Sequence, residues 1–167
     1  DEVADIVRIV EGVSGSVRMH GELALRFDYG HIVPWVRRDK HGVHAVAGPD
    51  SVYFVTDAPV HGESMRSVSD FTVQAGERVS FVLTWAPSHV PRPHSVHAET
   101  VLDTTLAYWR GWAAQCTVQG KYQDAVFRSL ITLKALTYAP TGGIVAAVTT
   151  SLPEQLGGPR NWDYRYC

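Results

Sequence analysis

The chain has 167 residues, 45% of them hydrophobic and 19% charged, with a net charge of -2. A chain of this length buries a real core, roughly two thirds of the surface its unfolded form exposes. The balanced charge excludes the basic footprint of a nucleic-acid or anionic-membrane binder, and no run of ~18 apolar residues exists to span a bilayer.

The first half reads as strands. Ile6–Val10 opens the series. From Val17 to Asp28 the pattern alternates, with Val17, Met19, Leu23, Leu25 and Phe27 on one side and Arg18, His20, Glu22, Arg26 and Asp28 on the other. Successive strand side chains point to opposite faces, so this period of two predicts a half-buried antiparallel strand. Shorter candidates follow at Ile32–Arg37, Val43–Ala47, Val52–Thr56 and Met65–Val73. Arg78 to Trp85 then places Val79, Phe81, Leu83 and Trp85 on one face. Turn residues separate these runs: Gly12 with Ser14-Gly15, Asp39 to Gly42, Gly48-Pro49-Asp50, Ala58-Pro59 and Ala75-Gly76-Glu77. Many short strands at this spacing predict a sandwich.

Pro87, Pro91 and Pro93 then break the pattern. Proline has no amide to donate, so sheet pairing ends here, and Ala86–His94 is the expected domain boundary. The period next becomes helical. Leu102, Leu106, Trp109, Ala113 and Cys116 form one apolar stripe, and Thr117–Gly120 closes that helix. Lys121 to Tyr138 predicts a second helix, with Tyr122, Val126, Leu130, Leu133 and Thr137 on one face. Its other side carries Ala125, Ile131, Ala135 and Tyr138, so it is expected to pack between neighbours. Pro140 ends it. A Gly-rich turn, the apolar run Ile144–Val148 and the tail Gly157–Cys167 complete the chain.

Several chemistries find no support. The two cysteines, Cys116 and Cys167, lie far apart and are expected as free, partly buried thiols. Their sparse use, and an Asp1-Glu2-Val3 start without the basic opening of a secretory signal, lead to the expectation of a cytoplasmic protein. His41-x-x-His44 and His94-x-x-His97 are the close histidine pairs. A spacing of three on a strand points side chains to opposite faces, and structural zinc takes four ligands, so no metal site or cofactor is expected. No Gly-x-Ser-x-Gly elbow, P-loop or Gly-x-Gly-x-x-Gly run is present. Glu154 and Asp163 are candidate carboxylates. A two-carboxylate inverting glycosidase needs an acid and a base roughly 6.5–9.5 Å apart. Nothing in their spacing brings these two together, and local pairing of Asp163 with Arg160 or Arg165 is the simpler reading. In the tail, Trp162, Tyr164 and Tyr166 alternate with Asp163 and Arg165. Rings stack on apolar sugar faces and charged forks bind hydroxyl edges. The same alternation also suits an ordinary buried loop.

The run Pro140-Thr141-Gly142-Gly143-Ile144-Val145-Ala146-Ala147-Val148-Thr149-Thr150-Ser151-Leu152-Pro153-Glu154, with Gly157-Gly158-Pro159-Arg160-Asn161-Trp162-Asp163-Tyr164-Arg165-Tyr166-Cys167, closely resembles the signature of glycoside hydrolase family 15, the bacterial glucoamylases and trehalases. Arg128-Ser129-Leu130 with Leu133-Lys134-Ala135-Leu136-Thr137-Tyr138 resembles the helix before it. Arg8–Gly15, Phe27-Asp28-Tyr29-Gly30 and Pro34-Trp35 look like that family's sandwich domain. Val148 departs from the family, which usually has proline there.

The resemblance implies an antiparallel β super-sandwich over residues 1–86, a linker with a helix over 87–120, and the beginning of an (α/α)6 barrel over 121–167, with sandwich and barrel both incomplete. It implies an inverting hydrolase of α-glucosidic bonds, acting on an α-glucan or α-glucoside such as maltose or trehalose. Tyr164 resembles the tyrosine lining the subsite of the cleaved glucose, and Trp162 and Asp163 are expected to shape the same pocket. Arg160 and Arg165 are expected as braces behind it. The two glutamates acting as acid and base are expected outside this chain, so the chain by itself is expected to be inactive. The alternative is a non-catalytic carbohydrate-binding or structural sandwich. Exposed, coplanar Trp or Tyr side chains on the sheet, with sugar binding by the chain, would favour that alternative; burial of Trp35 and Trp85 would indicate packing.

Overall fold

The computed structural model describes residues 4–40, 42–145 and 155–159. The chain forms two compact units, Asp1–Leu106 and Ala107–Cys167.

The first unit holds β1 (Ala4–Glu11), β2 (Ser16–Leu23), β3 (Trp35–Asp39), β4 (Gly42–Ala47), β5 (Asp50–Thr56), β6 (His61–Glu63), β7 (Arg66–Gln74) and β8 (Arg78–Pro87). They build a five-stranded sheet in the order β1-β8-β5-β4-β3 and a three-stranded sheet in the order β2-β7-β6. Every pairing is antiparallel. The chain changes sheet four times, and two of these crossings, between β1 and β2 and between β7 and β8, lie side by side. The two crossings are tied together: the Gly12 amide donates to the Glu77 carbonyl at 2.9 Å, and the Gly76 amide to that of Gly12 at 2.8 Å. Gly12 is needed here because a Cβ on it would lie 1.9 Å from the Gln74 carbonyl oxygen.

Register decides which side chains share a face. Leu83 pairs with Ile6 and with Phe54, and Phe54 with Val43, so these four lie on one side of the large sheet. Phe81, on the same side, sits 5.6 Å from Phe71 of the small sheet and 6.2 Å from Phe54. The sheets therefore meet face to face, in the manner of a sandwich. The seam stays partly open as an apolar cleft of about 300 Å³ lined by Ile6, Met19, Leu23, Phe71 and Leu83 among others.

The opposite side of the large sheet holds Val82, Thr84, Ala86, Ser51 and Tyr53, all buried. Two of its hydroxyls find partners within the sheet. The Ser51 hydroxyl donates to the Ala86 carbonyl at 2.8 Å, and that of Thr84 to the Asp5 carboxylate. The alternation in β8 places Val79, Phe81, Leu83 and Trp85 on one face of a half-buried strand. That face is half-buried to exposed, and Val82, Thr84 and Ala86 are the residues withdrawn from water. A central strand covered on both sides needs no polar face, and two short hydroxyls that find partners replace it.

Two strands differ from expectation. β2 stops at Leu23. Leu25 and Phe27 keep the alternation, half-buried, but pair with no long strand. The backbone instead turns through Phe27–Ile32, whose amides and carbonyls exchange bonds of 2.9 and 3.0 Å. Asp28 and Tyr29 sit there in the left-handed region, at φ 49° and 53°. The three-residue strand β6 is too short to carry a readable period.

Helix α1 (Ala98–Ala113) begins before the apolar stripe. Its Glu99 pairs with Arg78 at 3.1 Å, and Arg78 also reaches Glu11 at 3.4 Å. In the second unit, α2 covers Gln123–Ala135 and none of its residues is buried. The expected packing of α2 between neighbours is thus not found among the described residues. A helix apolar on two sides needs partners on both, and Val126 and Leu133 remain exposed.

Candidate functional site

The site expected from the sequence lies in the loop after α2. A turn prepares it. The Gly142 amide donates to the Tyr138 carbonyl at 2.8 Å, and the Tyr138 amide donates to the Gly143 carbonyl at 2.8 Å. Gly142 has φ 74°, a conformation that glycine adopts without steric cost. Ile144 then bridges Thr137, and the Val145 amide donates to the Leu136 carbonyl at 2.8 Å. The chain leaving α2 is thereby folded back along Leu136 and Thr137, the residues that follow the helix. Trp162, Asp163, Tyr164, Arg160, Arg165 and Glu154 lie outside the described residues, as does the Thr149–Pro153 connection. Nearby, Gln155–Pro159 form a turn in which the Gly158 amide donates to the Gln155 carbonyl at 3.2 Å.

The other candidates can be placed. Cys116 is a half-buried free thiol. His97 faces Thr100 at 3.5 Å, and His44 stacks on Tyr53. His41 lies outside the described residues. Among the described residues no group of His, Cys, Asp and Glu has the geometry to hold a metal. No described helix is long and apolar enough to cross a membrane.

Trp35 is 89% exposed and Trp85 42% exposed, so neither is a packed core residue. They do not form one platform. Trp35 pairs with Val46, Val46 with Ser51, and Ser51 with Ala86. Trp85 precedes Ala86 on β8 and therefore points to the opposite side of the sheet. Its indole N–H donates to the Asp50 carboxylate at 3.0 Å.

Two polar clusters escaped the sequence reading. On the small sheet, His20 contacts Asp70 at 2.8 Å and Glu22 at 3.3 Å, while Arg66 donates to Glu22 at 2.6 Å. The hydrogen bonds to Asp70 and then Glu22 raise the His20 pKa above its ordinary value. The His20 bond lowers Asp70, and the His20 bond with the Arg66 charge lowers Glu22. The spacing of His20 and Glu22 on one strand was a visible signal. Asp70, fifty residues away, becomes a neighbour only through register. At the end of the large sheet, a cleft of about 550 Å³ is lined by Arg38, Asp39, Lys40, Arg92 and His94 among others.

Comparison with known proteins adds to this geometry. The family model of the glycosyl hydrolases of family 15 matches residues 120–167. Trehalase of Thermoplasma acidophilum is 33% identical over 162 residues, 97% of this chain and 28% of that protein. Trehalase of Mycolicibacterium smegmatis is 33% identical over 174 aligned residues, 96% of this chain and 25% of its own. Trehalase 2 of Sulfolobus acidocaldarius is 56% identical over 45 residues, 27% of this chain and 8% of its own. The chain thus spans about a quarter of the length of the curated relatives that match it along most of its length. No solved structure matches it.

Proposed function

The chain belongs to the glycosyl hydrolases of family 15, and on that premise we propose that the protein it forms part of hydrolyses the α-glucosidic bond of trehalose with inversion at the anomeric carbon. The observation that carries this reading is the alignment of nearly the whole chain, sandwich and helices together, with trehalases at about one-third identity.

In this reaction a carboxylic acid gives its proton to the glycosidic oxygen as the C–O bond breaks. A carboxylate on the other face takes a proton from the water that attacks the same carbon. Both acids belong, on this reading, to polypeptide beyond the 167 residues. The chain's contribution is the loop after α2. Tyr164 lines the subsite of the cleaved glucose, where a phenol oxygen favours positive charge developing at the ring carbon. Trp162 and Asp163 shape the same wall, the ring by stacking and the carboxylate by accepting a sugar hydroxyl. The fold-back of Ile144–Val145 onto Leu136–Thr137 anchors the start of that wall, and the second unit is on this reading the opening of an (α/α)6 barrel.

The test is glucose release from trehalose and from maltose by the full-length protein, with the anomer followed by proton NMR. Faster release from trehalose, with α- and β-glucose appearing together in equal amounts, is the expected result. Release of α-glucose alone, without β-glucose, would overturn the inverting assignment, and turnover of maltose alone would overturn the substrate.

A second reading, a sandwich that binds sugar without cleaving it, draws on the exposure of Trp35. It predicts quenching of tryptophan fluorescence by maltose in the protein and its loss in Trp35→Ala. An unchanged titration in that variant would remove it.

A further inference from the structure

The segment 88–97 carries the chain from β8 to α1 and lies against the large sheet. Its start is held by Ser88, whose amide donates to the Pro49 carbonyl and whose hydroxyl donates to that of Gly48, both at 2.7 Å. Its middle is held by Arg92. That guanidinium donates to the Asp39 carboxylate at 3.3 and 3.4 Å and lies 4.9 Å from the centre of the Tyr53 ring. Tyr53 in turn stacks on His44, with centroids 4.3 Å apart and planes inclined by 6°. Arg92, Tyr53 and His44 thus form one linked column on one side of the sheet.

The lower end of that column has a defect. The His44 Nε2 is buried and has no hydrogen-bond partner among the described residues. A neutral imidazole tolerates this by leaving Nε2 as an unused acceptor. A protonated imidazole carries N–H on both nitrogens, and a charged donor without an acceptor is among the costliest groups to keep from water. The charges around it compound the cost. Arg37 is its direct cross-strand partner and Arg92 stands beyond Tyr53, with Asp39 as the opposing carboxylate.

We infer that His44 is an acid-sensitive latch: a proton on its ring drives it toward water and loosens segment 88–97 from the sheet. The ring can hydrate Nε2 only by leaving its stack on Tyr53. That movement removes the support beneath the ring on which Arg92 rests, while a new cation opposite Arg37 repels it. Burial, then Arg37 and Arg92, hold the His44 pKa below the ordinary histidine value, so the latch stays closed at neutral pH.

The experiment is hydrogen exchange of the peptide covering 88–97 in the intact protein, corrected for intrinsic rates, between pH 8 and pH 5. The native protein is expected to lose protection in this peptide as pH falls, while His44→Phe, which keeps a flat ring without a proton site, holds it. The same loss in His44→Phe, or no loss in the native protein, overturns the proposal. An NMR titration of His44 covers the case in which that variant does not fold. Arg37→Gln, at an exposed position, is expected to raise the His44 midpoint. An unmoved midpoint, or one at or above the ordinary histidine value in the native protein, also overturns it.

Discussion

At the scale of single residues, Gly12 and His20 show how strongly neighbours can constrain one position. Gly12 lies where two sheet crossings touch, and an added Cβ meets a backbone oxygen that has no side chain to swing away. Gly12→Ala is expected to destabilise the sandwich by about 1–3 kcal/mol, the usual cost of overpacking, read as a lower urea midpoint at unchanged slope. His20 is exposed, so its partnership is read from titration. Its pKa is raised, so its stabilising contribution is complete below the usual value of about 6.5 and fades as pH rises through the elevated one. Asp70 and Glu22 are lowered, so theirs is complete above the ordinary carboxylate range and fades as pH falls. The three act together in the window between. Asp70→Asn is expected to bring the His20 midpoint down toward 6.5 by NMR, and an unmoved midpoint would show that Asp70 is not its main partner.

Among the elements, the contact between sheets rests on a short aromatic run, Phe54–Phe81–Phe71. Phe81 is its middle member, so Phe81→Ala is expected to cost more stability than Phe71→Ala. Because the seam is half-open, its cost should be about 2–3 kcal/mol, below the ~3–5 of a fully enclosed phenylalanine. Equal urea midpoints for the two variants would disperse the contact over the whole face. Strands making this contact were legible because β8 alternates in sequence and turn residues bound the shorter apolar runs of β4, β5 and β7. What alternation could not tell was which face is buried, since that depends on what lies on each side; in β8 the answer was Val82, Thr84 and Ala86. Nor could it see β6, three residues long, or the pairing of His20 with Asp70 across fifty residues. The helical period of α2 was readable, while its burial was not, because burial is a property of neighbours. The loop expected to bind sugar is singled out only by its likeness to a family. Its aromatic alternation by itself suits a buried loop equally well, and Trp162, Asp163 and Tyr164 lie outside the described residues.

For the molecule as a whole, the surface of the first unit sets its behaviour when the 167 residues are produced by themselves. β1 and β3 are the outer strands of the large sheet, and an outer strand offers unpaired amides and carbonyls to any other chain. Beside β1 the seam between the sheets is open, with Ile6 59% exposed at its mouth. Apolar surface next to a free strand edge favours association, since a second chain can satisfy backbone and side chains at once. The β3 edge is better guarded, because Arg37 and Arg38 would oppose their own copies in an antiparallel self-pairing. Association is therefore expected to run through β1 and the seam. In sedimentation, the 167-residue chain should show mass rising with protein concentration. A lysine at Ile6, placing charge in the mouth of the seam, should reduce that rise, whereas Val36→Lys beside β3's arginines should leave it nearly unchanged. A monomeric species that melts cooperatively at all concentrations would mean that the seam closes without help. Equal effects of the two lysines would mean that general surface charge, and not this edge, controls association.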